Sequence, residues 1–354
     1  MAKRQLNRRQ AWRIDKIQQE RTDRANKRSA RANEKIDEGD LGPEQHGLVI
    51  SHFGTQVLIE EAAAAGESLE EGQAPISKRC HFRANLGSLV TGDKVIWRDG
   101  NPNGVVVAVQ PRQTALNRPD PYGDLKTVAA NIDRIIIVVA PFPYPHAGLI
   151  DRYLVAAEVT GIEPIVLINK IDLVTDDNRE HIEYLHQTYE DLGYTVLAVS
   201  AQFENKGHSL NKLREYLADY TSVFVGQSGV GKSSLINALL PEADLKVGPL
   251  SVSNQKGMHT TTTAQLFHFP GGGKLIDSPG IREFGLWHMQ PRDVIEGFVD
   301  IRSYVGYCKF RDCKHNTEPG CAINTALESG ELSEIRFNSY LAILDSLADK
   351  GRKT

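Results

Sequence analysis

No apolar run in this 354-residue chain is long enough to cross a bilayer. Its first residues hold none of the apolar stretch that directs secretion. They are rich in arginine, but Asp15, Glu20, Asp23 and Glu34 contradict the acid-poor composition of an organellar transit peptide. A cytoplasmic protein is the expectation. Cysteine is scarce, four residues in all, and three of them cluster near the C-terminus. That distribution reads as a metal site more than as a disulfide framework. No segment repeats. What remains is a composition ordinary for a soluble globular protein, with length for two or three domains that each bury a core.

The formal net charge of −4 conceals an asymmetry. Residues 1–35 carry twelve Lys and Arg against four acids, a surplus of eight, so everything beyond them carries −12. A basic arm on an acidic body suggests a polyanionic partner, nucleic acid first, with a merely solvated extension as the bland alternative. The arm has helical tendency around Trp12 to Ile36 but no core to pack on, so it is expected to be largely disordered when free.

Five short apolar runs follow, Leu48–Ile50, Gln56–Glu60, His81–Ala84, Lys94–Trp97 and Gly104–Val109, separated by glycines and Asn-Pro-Asn-Gly or Asp-Gly turns. Five strands in so short a span predict a small barrel of the OB type. OB folds often bind RNA, and a protein-docking module is the alternative. From about residue 118 strands and helices alternate, with buried strands at 134–140, 164–168, 195–199 and 222–225. The pattern predicts a parallel sheet with helices on both faces and ligands at the strands' C-terminal ends. The last 65 or so residues are polar and mostly helical in pattern.

The chemistry lies in three motifs. Gly226-Gln227-Ser228-Gly229-Val230-Gly231-Lys232-Ser233 fits the phosphate-cradling P-loop, and it follows an apolar strand and opens a helix-like run, as such a loop requires. Its glycines let backbone N–H groups face phosphate oxygens, Lys232 reaches the β- and γ-phosphates, and Ser233 offers its hydroxyl to Mg²⁺. Asp277-Ser278-Pro279-Gly280 closes an apolar run, placing the Asp277 carboxylate for Mg²⁺ and the Gly280 N–H for the γ-phosphate. Asn169-Lys170-Ile171-Asp172 is the guanine-reading element. Asp172 accepts from the guanine N1–H and amino group, and adenine would leave it unpaired. Asn169 tethers loops around the base, the Lys170 stem covers it, and Ser200-Ala201 supplies a backbone donor to O6. The nucleotide is therefore GTP. Since the base-reading element precedes the phosphate elements, the domain is circularly permuted.

Between the P-loop and Asp277 lies Gly257-Met258-His259-Thr260-Thr261-Thr262-Thr263. Thr261 is the expected Mg²⁺ ligand of this run, with Thr260 and Thr262 as alternatives. The position after Gly280, where Ras-like proteins carry a water-orienting glutamine, is Ile281, which cannot orient water. His259 is the nearest residue able to do so, giving it a catalytic role beside Lys232. Near the C-terminus Cys308, Cys313, His315 and Cys321 offer three thiolates and an imidazole within fourteen residues, the donor set of one closed, structural Zn²⁺ site. Iron–sulfur ligation and free thiols are the alternatives. Cys80 stands alone in the barrel region and reads as packing.

Together the basic arm, the barrel, the reversed motif order and the cysteine knuckle resemble the RsgA (YjeQ) family of circularly permuted bacterial GTPases, across essentially the whole chain. The His-Thr-Thr run at His259 is similar to that family's switch I, where the histidine is assigned to catalysis. The resemblance implies a late assembly factor that binds the 30S ribosomal subunit near its decoding region, contacts 16S rRNA, is stimulated by the subunit and leaves after hydrolysis. The expected fold is multidomain α/β. It comprises an arm (1–39), an OB-like β-barrel (40–113), a circularly permuted P-loop GTPase domain (114–285) and a small, mostly helical, zinc-binding C-terminal domain (286–354). A monomer without membrane partners is expected. A GTPase with another client and an RNA-binding module with a dead GTPase are the rival readings.

Overall fold

The structure, a computed structural model, describes residues 41–62, 76–120, 124–200, 209–240, 264–277, 289–315 and 318–351. The basic arm and the expected site residues Ala201, His259, Thr261 and Gly280 lie outside them. Contacts divide the chain into two units, Met1–Leu89 with Asp93–Pro111, and Val90–Gly92 with Arg112–Thr354.

In the first unit the five apolar runs become β1 (Glu44–Phe53), β2 (Gln56–Glu61), β3 (Ser77–Phe82), β4 (Lys94–Arg98) and β5 (Gly104–Val109). β1 pairs antiparallel with both β2 and β4, β2 with β3, and β4 with β5, while β3 and β5 run parallel. The order 1-2-3-5-4 thus closes on β1 as a five-stranded, OB-like barrel. Alternation turns Val49, Val57, Ile59, Cys80, Val95, Trp97 and Val106 inward. Gly47 makes room for the largest of them: a Cβ there would lie 2.5 Å from Ile59 Cγ2 and 2.7 Å from Trp97 Cδ1. Cys80 is core packing, and burial is the main cause that pushes its thiol up to about 12. The strand expected over 81–84 ends at Phe82. β2 has no residue left to pair beyond Gln56↔His81, and the chain turns into a short 3₁₀ segment at Ala84–Leu86.

The second unit opens with an antiparallel hairpin that sequence patterning did not reveal, β6 (Ala115–Pro119) and β7 (Leu125–Ala130). Then come β8 (Arg134–Val139), α1 (Ala147–Thr160), β9 (Glu163–Ile168), α2 (Asp176–Asp191), β10 (Thr195–Ala198), α3 (Ser209–Leu217), β11 (Thr221–Val225), α4 (Lys232–Leu239), β12 (Gln265–His268) and β13 (Lys274–Asp277). Neighbours run in the order β10-β9-β8-β11-β13-β12, all parallel except β12 against β13. β8 is buried along its whole length, which explains its unbroken apolar run. Thr175 and Asn178 form a capping box that starts α2. Gly161, with φ +69°, ends α1 and returns its N–H to Glu158.

The chain finishes in α5 (Pro291–Glu296), α6 (Ala322–Glu328) and α7 (Glu334–Gly351). Among the described residues no helix is long and apolar enough to cross a membrane. A buried charge network ties α7 to the GTPase-side helices. Arg336, 2% exposed, pairs with fully buried Asp151 of α1 and makes two hydrogen bonds, of 2.9 and 3.0 Å, to Asp300. Its guanidinium lies 4.5 Å from the centre of the Phe298 ring. Tyr189 of α2 donates its hydroxyl to the same Asp151 oxygen at 2.8 Å. Burial raises the Asp151 carboxyl above its usual range, and Arg336 opposes the shift. Replacing Arg336 by Met would strand that carboxylate, so a loss of about 3–5 kcal/mol is expected. Urea denaturation of the two proteins measures it, and a midpoint unchanged from wild type would refute the assignment.

Candidate functional site

A parallel sheet brings the C-terminal ends of its strands to one edge, and β9, β10, β11 and β13 deliver the motif residues there. β11 runs into the loop at Gly226, whose φ is +135°. A Cβ at that position would lie 2.2 Å from the Val138 carbonyl oxygen, so only glycine lets the loop leave flush against β8. Gln227, Ser228 and Gly229 form the exposed tip, while Val230 is buried beneath it. Lys232 and Ser233 open α4, where the helix N-terminus faces the loop. Lys232 Nζ donates at 2.7 Å to the carbonyls of both Gly226 and Gln227, which holds a cation inside the loop's curl.

The Asn169–Asp172 turn meets this loop directly. Asn169, 1% exposed, donates from its backbone N–H to the Val139 carbonyl and from Nδ2 to the Val230 carbonyl, each at 2.8 Å. Lys170 takes a left-handed conformation (φ +57°), and its Nζ donates to the Gly229 carbonyl at 2.6 Å. Asp172 lies exposed in the short 3₁₀ turn Ile171–Leu173, where the Ser200 hydroxyl donates to its Oδ1. Ile171 N–H donates to the Val199 carbonyl at 3.2 Å, fixing the turn against the strand that precedes Ser200. Asp277 ends β13, half-buried, with Gln265 opposite it, and β13 runs parallel beside β11. The structure therefore brings together Asn169, Lys170, Ile171, Asp172, Ser200 and residues 226–233, with Asp277 at the same sheet edge. Sequence reasoning did not anticipate Pro143, whose Cδ lies 3.5 Å from where a Gly229 Cβ would be. No spacing rule points to it.

The second cluster is Cys308, Cys313, His315 and Cys321, whose donor atoms all lie within 4.8 Å of one another. Cys308 Sγ is 3.4 Å from His315 Nδ1 and 3.9 Å from Cys321 Sγ, and Cys321 Sγ is 3.7 Å from His315 Nδ1. Bonds of about 2.3 Å to sulfur and 2.0 Å to nitrogen place the corners of a tetrahedron roughly 3.5–3.8 Å apart, so these spacings fit one shared ion. The local backbone serves that convergence. His315 and Gly320 both have positive φ, +59° and +76°, and Lys309 N–H closes the knuckle on the Gly320 carbonyl at 2.9 Å. Ala322 N–H points at Cys308 Sγ from 3.4 Å, which steadies a thiolate. Burial lowers the His315 pKa, and so favours the neutral ring that ligates metal. This cluster could hold a metal ion.

An N-K-x-D turn that precedes a P-loop along the chain, yet clasps it in space on a parallel sheet, has the arrangement of a circularly permuted P-loop GTPase. Comparison with known proteins gives the family. Residues 109–287 match the family model described as RsgA GTPase. Over 350 residues the chain is 58% identical to the small ribosomal subunit biogenesis GTPase RsgA of Pseudomonas fluorescens strain SBW25, covering 99% of each. The protein of that name from Azotobacter vinelandii is also 58% identical, with 99% of each covered. Among solved structures, YjeQ from Thermotoga maritima aligns with a TM-score of 0.69 and 30% identity, over 86% of this chain and 99% of that one. YloQ, described as a circularly permuted GTPase, aligns at 0.67 and 28%, over 87% and 96%. This chain belongs to the RsgA family of circularly permuted GTPases, and it hydrolyses GTP.

Gly231 tests the clasp. Its φ is +93°, and an added Cβ would lie 2.4 Å from Asn169 Nδ2. Gly231→Ala should strain the loop by about 1–3 kcal/mol. Titration with a fluorescent GDP analogue is expected to show affinity falling by roughly tenfold or more, since about 1.4 kcal/mol is a factor of ten.

Proposed function

We propose that this chain is a late assembly factor of the small (30S) ribosomal subunit, stimulated by the subunit in GTP hydrolysis and released afterwards. The observation that carries the reading is the single constellation of Asn169–Asp172, Ser200 and Gly226–Ser233. It sits in a chain similar over nearly its full length to proteins named for small-subunit biogenesis. The work divides among the arm (1–39), the barrel (40–113), the permuted GTPase domain (114–285) and the C-terminal domain (286–354). The arm, with its surplus of eight positive charges, neutralises 16S rRNA phosphates. The protein acts as a cytoplasmic monomer.

Guanine binds against Asp172, whose carboxylate accepts from N1–H and the amino group while Ser200 fixes its rotamer. The Ala201 N–H meets O6, and Asn169 and Lys170 hold the base-reading turn to the P-loop. Phosphate oxygens are received by the backbone N–H groups of 226–233, with Lys232 shifting from the loop carbonyls onto the β- and γ-oxygens. Ser233, Asp277 and Thr261 would hold Mg²⁺, which would supply charge neutralisation at those oxygens. Gly280 N–H faces the γ-phosphate, and His259 orients the attacking water. The four C-terminal donors hold one structural Zn²⁺, which folds a knuckle that has little core of its own.

The deciding experiment is steady-state GTP hydrolysis by the purified protein alone, with 30S subunits and with 50S subunits. Stimulation by 30S only is expected, and His259→Ala should abolish most of it while GDP affinity holds. Turnover indifferent to 30S would send the search to another client. Asp172→Asn tests the base contact separately. An asparagine amide presents one donor and one acceptor, which matches xanthine O2 and N1–H rather than guanine. GTP affinity should fall by about a hundredfold or more, with xanthosine triphosphate gaining. Competition binding of the two nucleotides reads it directly.

A further inference from the structure

Val90-Thr91-Gly92 lies between barrel residues Leu89 and Asp93 along the chain, yet its contacts group it with the second unit. All three residues are buried, Thr91 to 1% exposure. The Thr91 and Gly92 carbonyls and the Thr91 hydroxyl are all engaged. Thr91 bridges in parallel with Ala129, and its carbonyl accepts the Ala130 N–H at 3.0 Å. Asn131, held at φ +53°, donates Nδ2 to the Gly92 carbonyl at 2.8 Å. Gly92 has φ +93°, and an added Cβ would lie 2.0 Å from the Ala130 carbonyl oxygen and 3.1 Å from Ile276 Cδ1. The Thr91 hydroxyl reaches farthest, donating to the Ala264 carbonyl at 2.9 Å across 173 positions of sequence.

The two places this strap touches flank one pair. Ala264 directly precedes Gln265, and Ile276 directly precedes Asp277. Gln265 and Asp277 face each other in the β12–β13 register. Ala264 also directly follows the run 257–263 that carries His259 and Thr261.

We propose that Thr91 is a positioning residue for GTP hydrolysis. Its hydroxyl pins the start of β12 beside Asp277 and so fixes the point from which the His259–Thr263 run departs. The inference rests on the phosphate-side roles given above to Asp277 and the 257–263 run. It places nothing on the guanine contacts, which are held independently by the Asn169 and Lys170 clasp.

The experiment compares Thr91→Val, which deletes the donor at nearly constant shape, with Thr91→Ser, which keeps it. Both are full-length proteins, assayed for kcat and KM of GTP hydrolysis with and without 30S subunits and for affinity to a fluorescent GDP analogue. Thr91→Val is expected to lower intrinsic kcat by about tenfold through misplacement of the reacting groups. KM and GDP affinity should stay within about twofold of wild type, the signature of an effect confined to the reacting state. Thr91→Ser should restore most of kcat. An unchanged kcat in the valine variant, a parallel loss of GDP affinity, or a serine variant as slow as the valine one would each overturn the proposal. Thr91→Ala, set against serine in the same way, decides the matter if the valine variant does not fold. Wild-type protein that ignores 30S would sink the ribosomal client while leaving intrinsic kcat to judge Thr91.

Discussion

The contact on which the nucleotide site depends is the clasp between Asn169 and Lys170 on one side and the Val230 and Gly229 carbonyls on the other. Two hydrogen bonds, one buried and one charge-assisted, lock a turn that ends β9 to a loop that begins some sixty residues later after β11. Strands β9 and β11 are not neighbours, because β8 lies between them. The clasp spans that strand over its C-terminal end, where Gly226 also abuts the Val138 carbonyl. Permutation leaves this geometry intact because a parallel sheet fixes which strand ends meet, whatever order the chain visits them in.

The C-terminal region is held to the same frame by different physics. Arg336 joins α7 to α1 through Asp151, and Tyr189 of α2 shares that carboxylate. A buried ion pair of this kind adds little net stability over apolar packing, yet losing one partner is costly because a charge is left without solvent or counter-ion. It therefore acts as a registry device that admits one docking of α7 on α1. Gly297, at the end of α5, makes a separate close approach to α1, since a Cβ there would lie 2.7 Å from Val155 Cγ1. The metal knuckle, by contrast, is organised around its own donors: positive-φ residues His315 and Gly320 bend the chain so that four side chains converge.

The barrel follows simpler rules. Its interior follows alternation broken by bulges in the β1–β2 and β4–β5 pairings, and its largest buried aromatic, Trp97, fits because Gly47 and Gly104 leave space against it. Closure through β1–β4 pairing removes the open edges that five short strands would otherwise expose.

Much of this was legible in the residues. Local rules determine whether a strand delivers a glycine loop, whether an N-K-x-D turn follows a buried run, and whether four soft donors lie within fourteen residues. Hydrophobic patterning set the strands expected at 134–140, 164–168, 195–199 and 222–225 to within one residue at either end, and the family followed from motif order. Other features were hidden because they are long-range. The β6–β7 hairpin has too mixed a pattern to announce itself, and β3 ends at Phe82, one residue past the end of its β2 ladder, before a 3₁₀ segment. Thr91 is one threonine among many until folding carries it to Ala264. By itself the sequence determined the chemistry, since charge, donor type and backbone freedom belong to residues. Only the tertiary structure decided which of those residues touch, because contacts across tens to hundreds of positions depend on how sheets and helices stack, which no local pattern encodes.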